Sequence, residues 1–267
     1  MNTIEMYNNL ENIGIKLYQN DNSAWVKLQE VLSELGEFAT EVASISEEMK
    51  NVVMRVFSSL LDAIQNVDQL LAADIVYYEL CELVAVYEKI YNDRDIETHQ
   101  QSNVNKGNID TKKTYEINMK CLENKWDGYY QKLIEYCERF DLNDKEVQVD
   151  EYGNIAVLKS DRWWRMNSFY NSEYAASLAL QEIMKQNYIS CLYIFGMGNL
   201  DTIRKMTEYL PTDTMIFIYE PNPKIFGVNS YYSDWSEVLN KENVVLFVEG
   251  LNDEELAKCT YIRMENI

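Results

Sequence analysis

Three short apolar runs constrain this chain more than any other feature: Cys191–Phe195, Met215–Tyr219 and Val244–Val248. None carries a charge, and stretches with helical character separate them, the first through Ile203, Met206 and Tyr209 before Pro211, the second containing Trp235, Val238 and Leu239. Apolar strands spaced this way cannot be joined by tight hairpins. They require crossovers, which predicts a parallel sheet with right-handed connections. Residues 191–250 therefore read as a Rossmann-like β-α-β-α-β unit.

The chemistry of such a unit lies at the carboxyl ends of its strands. Gly196 and Gly198 follow the first strand and allow a tight turn, which can aim backbone N–H groups and the next helix N-terminus at an anion. Glu220 closes the second strand, where a carboxylate commonly accepts hydrogen bonds from ribose hydroxyls. Gly196, Gly198 and Glu220 are thus the candidate ligand-binding residues. The third glycine of a G-x-G-x-x-G pattern would fall on Asp201, whose charge repels a pyrophosphate. Two readings stay open for the two glycines: strand-to-helix packing alone, or a ligand cradle.

The rest of the chain changes period twice. Over residues 1–92 the apolar positions alternate steps of three and four, as in Trp25, Leu28, Leu32, Leu35, Ala39 and Val42, then Val53, Val56, Leu60 and Ala63, then Leu70, Ala73, Tyr77, Leu80, Val84, Tyr87 and Tyr91. Each seam needs a partner, so four helices with short connections predict an antiparallel bundle. Asn22 or Ser23 is expected to cap the second helix and Asp68 the fourth. Tyr77, Tyr78, Tyr87 and Tyr91 read as core packing, and Glu79, Glu82 and Glu88 as a solvated face. Residues 93–112 are polar and read as a flexible linker, placing the second domain at 113–267. That domain opens with one helix through Ile117, Leu122, Trp126, Tyr129, Tyr130, Leu133 and Tyr136. A hairpin follows, with Val147 and Val149 facing Ile155 and Val157 across a Tyr152-Gly153-Asn154 turn. Trp163 and Trp164 belong to a third extended segment, and Asn171 or Ser172 caps a further helix. The fold class is α/β: a helical bundle, then a Rossmann-like parallel-sheet domain with a small hairpin.

Charge and rare residues narrow the function. Lys plus Arg number 24 against 44 Asp plus Glu, a formal charge of −20. So negative a chain repels phosphate backbones and anionic lipid, which argues against nucleic-acid and membrane partners. No basic and apolar leader opens the chain, so the expected location is cytoplasmic. The five cysteines are scattered and never spaced C-x-x-C, and the one histidine, His99, lies in the polar stretch and reads as a solvated linker residue. No metal site or cofactor is expected, and a triad or thiol–imidazole pair would need His99 itself.

The string Leu192-Tyr-Ile-Phe-Gly-Met-Gly, a helix, and Ile218-Tyr-Glu-Pro-Asn-Pro resemble the N-terminal domain of the motility-associated factor (Maf) glycosyltransferases. In that family a hydrophobic strand enters an F-G-x-G turn and an E-P-D/N-P box closes the next strand. Tyr232-Ser-Asp-Trp-Ser-Glu-Val-Leu, Met166-Asn-Ser-Phe-Tyr-Asn-Ser-Glu-Tyr-Ala and the helix with Asn118 and Leu122 extend the likeness over about residues 113–262. The family more often has a further glycine at position 200, where this chain has Leu200. The resemblance implies an N-terminal portion of a flagellin glycosyltransferase, an enzyme that moves a nonulosonic acid from a CMP-activated donor to Ser or Thr. Its catalytic domain, related to a pterin diphosphokinase-like family, follows the region matched here. The expectation is a non-catalytic accessory portion, from a fragment or split gene product, with flagellin or the remaining transferase domain as partner. Three parallel strands make half a doubly wound sheet, with the hairpin at 145–159 expected to cover one edge. The alternatives are an enzyme binding a nucleotide, a nucleotide-sugar or S-adenosylmethionine at the glycine turn, and an interaction module acting through the bundle.

Overall fold

A computed structural model describes residues 3–99, 109–125, 130–150, 153–159, 161–185, 189–198 and 200–254. It divides into two compact units, one of residues 1–104 with 168–182, the other of 105–167 with 183–267. Expected positions Trp126, Tyr129, Tyr152 and Cys259, and linker residues 100–108, lie outside the described residues.

The first unit is helical. Its elements are α1 (Thr3–Tyr18), α2 (Ser23–Ala43), α3 (Glu47–Asn66), α4 (Gln69–Asp74), a π-helical turn (Ile75–Leu80) and α5 (Cys81–Asn92). Leu10, Leu17, Leu28, Leu35, Val56, Leu60 and Leu80 are fully buried together, as their spacing requires. The Asp68 carboxylate caps α4 by accepting from the Leu71 N–H. At α2 it is Asp21, rather than Asn22 or Ser23, whose side chain accepts the first amide, that of Ser23. The predicted fourth helix runs on through α4 and α5, but the π turn inserts itself in the middle. A π turn adds a residue to the helical repeat and so rotates everything beyond it. Every residue from Ala72 to Cys81 is buried, so this stretch has no solvated face, and two of the acids assigned to one are buried: Glu79 is 8% exposed and Glu88 not at all, leaving only Glu82 outside. Of the four tyrosines, Tyr77 and Tyr78 are core, while Tyr91 is exposed.

The same unit contains residues 168–182, most of a helix α8 (Ser172–Met184), which the boundary at 113 had grouped with the second domain. Ala175 and Leu178 join the helical core, and the Asn171 side chain caps α8 through the Tyr174 N–H. The first part of the expected linker is also folded. Ile96 packs on the helical core and His99 is built into it.

The second unit holds α6 (Thr111–Lys125), α7 (Gln131–Arg139), β1 (Val147–Val149), β2 (Ile155–Lys159), β3 (Arg162–Arg165), β4 (Cys191–Phe195), α9 (Asp201–Tyr209), β5 (Met215–Glu220), α10 (Pro223–Tyr232), α11 (Ser236–Leu239) and β6 (Val244–Val248). The predicted hairpin forms with Val147 opposite Val157 and Val149 opposite Ile155, and β3 extends it. The parallel sheet has the order β4-β5-β6. The hairpin does not cover its edge: β1-β2-β3 is a sheet of its own, with no ladder to β4 or β6 among the described residues. Ile216, Ile218, Val244, Leu246 and Val248 pack one face of the parallel sheet on Leu122, Leu133, Phe226 and Trp235. Asn118 fastens α6 to this layer, donating to the Ser230 and Ser233 carbonyls and accepting from the Trp235 N–H.

Candidate functional site

The parallel register sets Phe195 beside Tyr219, which brings the glycine turn and Glu220 together as the sequence suggested. Gly196 and Gly198 both adopt left-handed backbone, φ +88° and +53°, which glycine takes at no steric cost. A side chain on Gly198 would press on the Met166 carbonyl, whereas Gly196 faces open space. Glu220 is fully buried, and the turn itself occupies its carboxylate. Oε2 accepts from the Met197 N–H at 2.8 Å, and Oε1 from the Asn222 N–H at 2.7 Å. The Gly198 carbonyl accepts from the buried Asn229 amide at 2.6 Å. The Glu220 carboxylate and the Met197 and Gly196 amides are thus engaged locally, the last donating to the Tyr219 carbonyl at 2.7 Å.

The helix that follows is similarly furnished. Leu200, where the resembled family more often has glycine, sits at φ +69°, a strained conformation for a branched side chain. Its burial, 2% exposed, holds it there. Asp201 occupies the first turn of α9 and accepts from Arg204 at 2.9 Å, and Arg204 also pairs with Glu237. A carboxylate already occupies the positive end of this short helix. A cavity of about 560 Å³ does exist in the unit, lined by Leu210, Asp213, Met215, Lys241 and Asn243. It lies at the amino ends of β5 and β6, opposite the end at which doubly wound sheets bind ligands.

Sequence reasoning missed a second constellation, in the helical unit around the π turn. The Asp74 carboxylate, fully buried, accepts from Tyr18 Oη at 2.5 Å, from Ser168 Oγ, and from the Phe169 N–H at 3.0 Å. Tyr170 stacks on Tyr78 and donates to Glu79 Oε1 at 2.6 Å, while Tyr77 donates to the Tyr174 hydroxyl at 2.9 Å. Burial, then the Asp74 charge, pushes the Tyr18 hydroxyl well above its ordinary pKa, so it stays a donor. His99 is no solvated residue. Its ring stacks on Tyr77 at 3.9 Å between centroids, and Nε2 lies 3.1 Å from Glu11 Oε1 and 3.4 Å from Tyr7 Oη. Burial holds His99 below its ordinary pKa, opposed by the Glu11 charge. One signal for this cluster was available: Asp74 lies inside the apolar run Leu71-Ala-Ala-Asp-Ile-Val76, and a carboxylate there must find donors.

Among the described residues no group of three His, Cys, Asp or Glu is placed to hold a metal ion, and no helix is long and apolar enough to cross a membrane. Comparison of the chain with protein-family models, with curated proteins and with solved structures gave no match in any of the three.

Proposed function

We propose that this chain serves as a non-catalytic accessory module of the motility-associated (Maf) flagellin glycosylation machinery, supporting a transferase domain and engaging flagellin or that domain. The transfer itself, of a nonulosonic acid from a CMP-activated donor to Ser or Thr, belongs in this proposal to the partner. The observation that carries the reading is the state of Glu220. The F-G-M-G turn and the E-P-N-P box meet in space, yet both carboxylate oxygens accept backbone N–H groups of the turn and the box. Such a carboxylate, fully buried, organises the loop. Co-purification of the full chain with flagellin and with a Maf transferase domain tests it. Retention of either partner at micromolar concentrations supports the proposal, and retention of neither overturns it.

A nucleotide at the turn is the rival reading, favoured by the open space at Gly196. It requires a ribose hydroxyl to reach a carboxylate that is fully buried beneath the turn, so the turn must open. Amide exchange at Met197 and Asn222 with and without CMP separates the two, since only the rival has those amides change protection.

A further inference from the structure

The helical unit carries a cavity of about 390 Å³ between α3, the π turn and α5, a size within the range of small-molecule sites. Val52, Leu83 and Val86 supply apolar wall, and Glu79, Arg55 and Tyr170 converge at the polar end. Glu79 is more than nine-tenths buried, and its two oxygens differ. Oε1 accepts from Tyr170 Oη. Oε2 lies 2.7 Å from Arg55 Nη1, but without the alignment of a hydrogen bond, so this buried oxygen accepts none. The ion pair keeps its Coulomb attraction at that distance, but the oxygen has acceptor capacity for an aligned donor. The Arg55 side chain is 61% exposed and can swing away. Glu82, exposed, adds a second negative charge to the lining.

We propose that this cavity binds an organic cation, a primary ammonium or guanidinium group on an apolar chain, with Glu79 as its buried counter-ion. Two carboxylates against one arginine leave the polar end net negative, and the formal charge of −20 favours the approach of cations. An aligned N–H from the ligand replaces the misaligned one of Arg55, and the aliphatic body covers Val52, Leu83 and Val86. Glu79 lies within the π turn, in a stretch of helix buried on every side, so its carboxylate meets the cavity from inside the unit.

The test is a ligand-observed NMR titration of the full chain with n-hexylammonium, using hexanoate and hexanol as matched controls at neutral pH. Saturable binding of the ammonium alone is expected. It should weaken about tenfold or more in Glu79→Gln and less in the exposed Glu82→Gln, and be undiminished in Arg55→Ala. Circular dichroism identifies a variant that fails to fold; should Glu79→Gln do so, Glu82→Gln and Arg55→Ala decide. Absence of ammonium binding, equal binding of hexanoate, loss of binding in Arg55→Ala, or affinity unchanged in every folded carboxylate variant overturns the proposal.

Discussion

Replacing Glu220 by glutamine changes one atom of the side chain and should unfasten the glycine turn. The native carboxylate accepts from two backbone amides, Met197 N–H at 2.8 Å and Asn222 N–H at 2.7 Å, in a fully buried setting. Hydrogen bonds to a charged group contribute roughly 1.5–3 kcal/mol each. Glutamine keeps one carbonyl oxygen, so one amide retains a neutral acceptor while the other meets an NH2 group. Stranding that buried N–H costs about 1–3 kcal/mol, and loss of charge on the remaining bond adds about 1, for a total of about 2–4 kcal/mol. Against a typical domain stability of about 5–15 kcal/mol this is a large fraction. Urea unfolding followed by amide-exchange mass spectrometry reads it directly. The midpoint of the α/β unit should fall by about 1–2 M, and protection should be lost first at Met197 and Asn222. A change below about 0.5 kcal/mol with both amides still protected would refute the assignment of Glu220 to the turn.

Three further outcomes follow from the helical unit. Gly14→Ala places a methyl 2.8 Å from Tyr77 Cβ, where α1 meets the π turn, and should lower stability by about 1–3 kcal/mol in thermal melts. Asp74→Asn leaves three donors facing one carbonyl oxygen; about 2–4 kcal/mol should be lost, with faster proteolysis within residues 168–182. His99 has a lowered pKa when folded, so the unfolded chain takes up its proton first. Its contribution is complete above the ordinary value of 6.5 and declines as pH falls below it, so the melting temperature of wild type should drop between pH 7.5 and 5.5 more than that of His99→Gln.

Much of the architecture was legible because it rests on periodicity. The strands Cys191–Phe195 and Val244–Val248, the register of Val147 against Val157 and the capping of α4 by Asp68 all come from local pattern and side-chain chemistry. The helix starting at Pro223 was equally available in Asn222-Pro223, a cap followed by proline in the first turn. The π turn was not legible, since nothing in Ile75-Val-Tyr-Tyr-Glu-Leu80 departs from an ordinary helical repeat. That segment holds the buried Glu79, the Tyr77 that closes on Gly14 and the carboxylate that accepts from Tyr170. The partners of Asp74 lie 56 to 95 positions away in the chain, beyond the reach of local pattern. At the glycine turn the residues were legible and their employment was not: only the backbone geometry reveals that Glu220 serves Met197 and Asn222.

A glycine turn whose carboxylate is engaged by its own backbone, in the accessory module proposed above, has no need of a nucleotide. A calorimetric titration of the full chain with CMP, CMP-activated nonulosonic acid, NAD and S-adenosylmethionine tests it most directly. No saturable heat is expected from any of the four up to millimolar concentrations. Micromolar binding of one of them, with altered exchange at the Met197 and Asn222 amides, would contradict it.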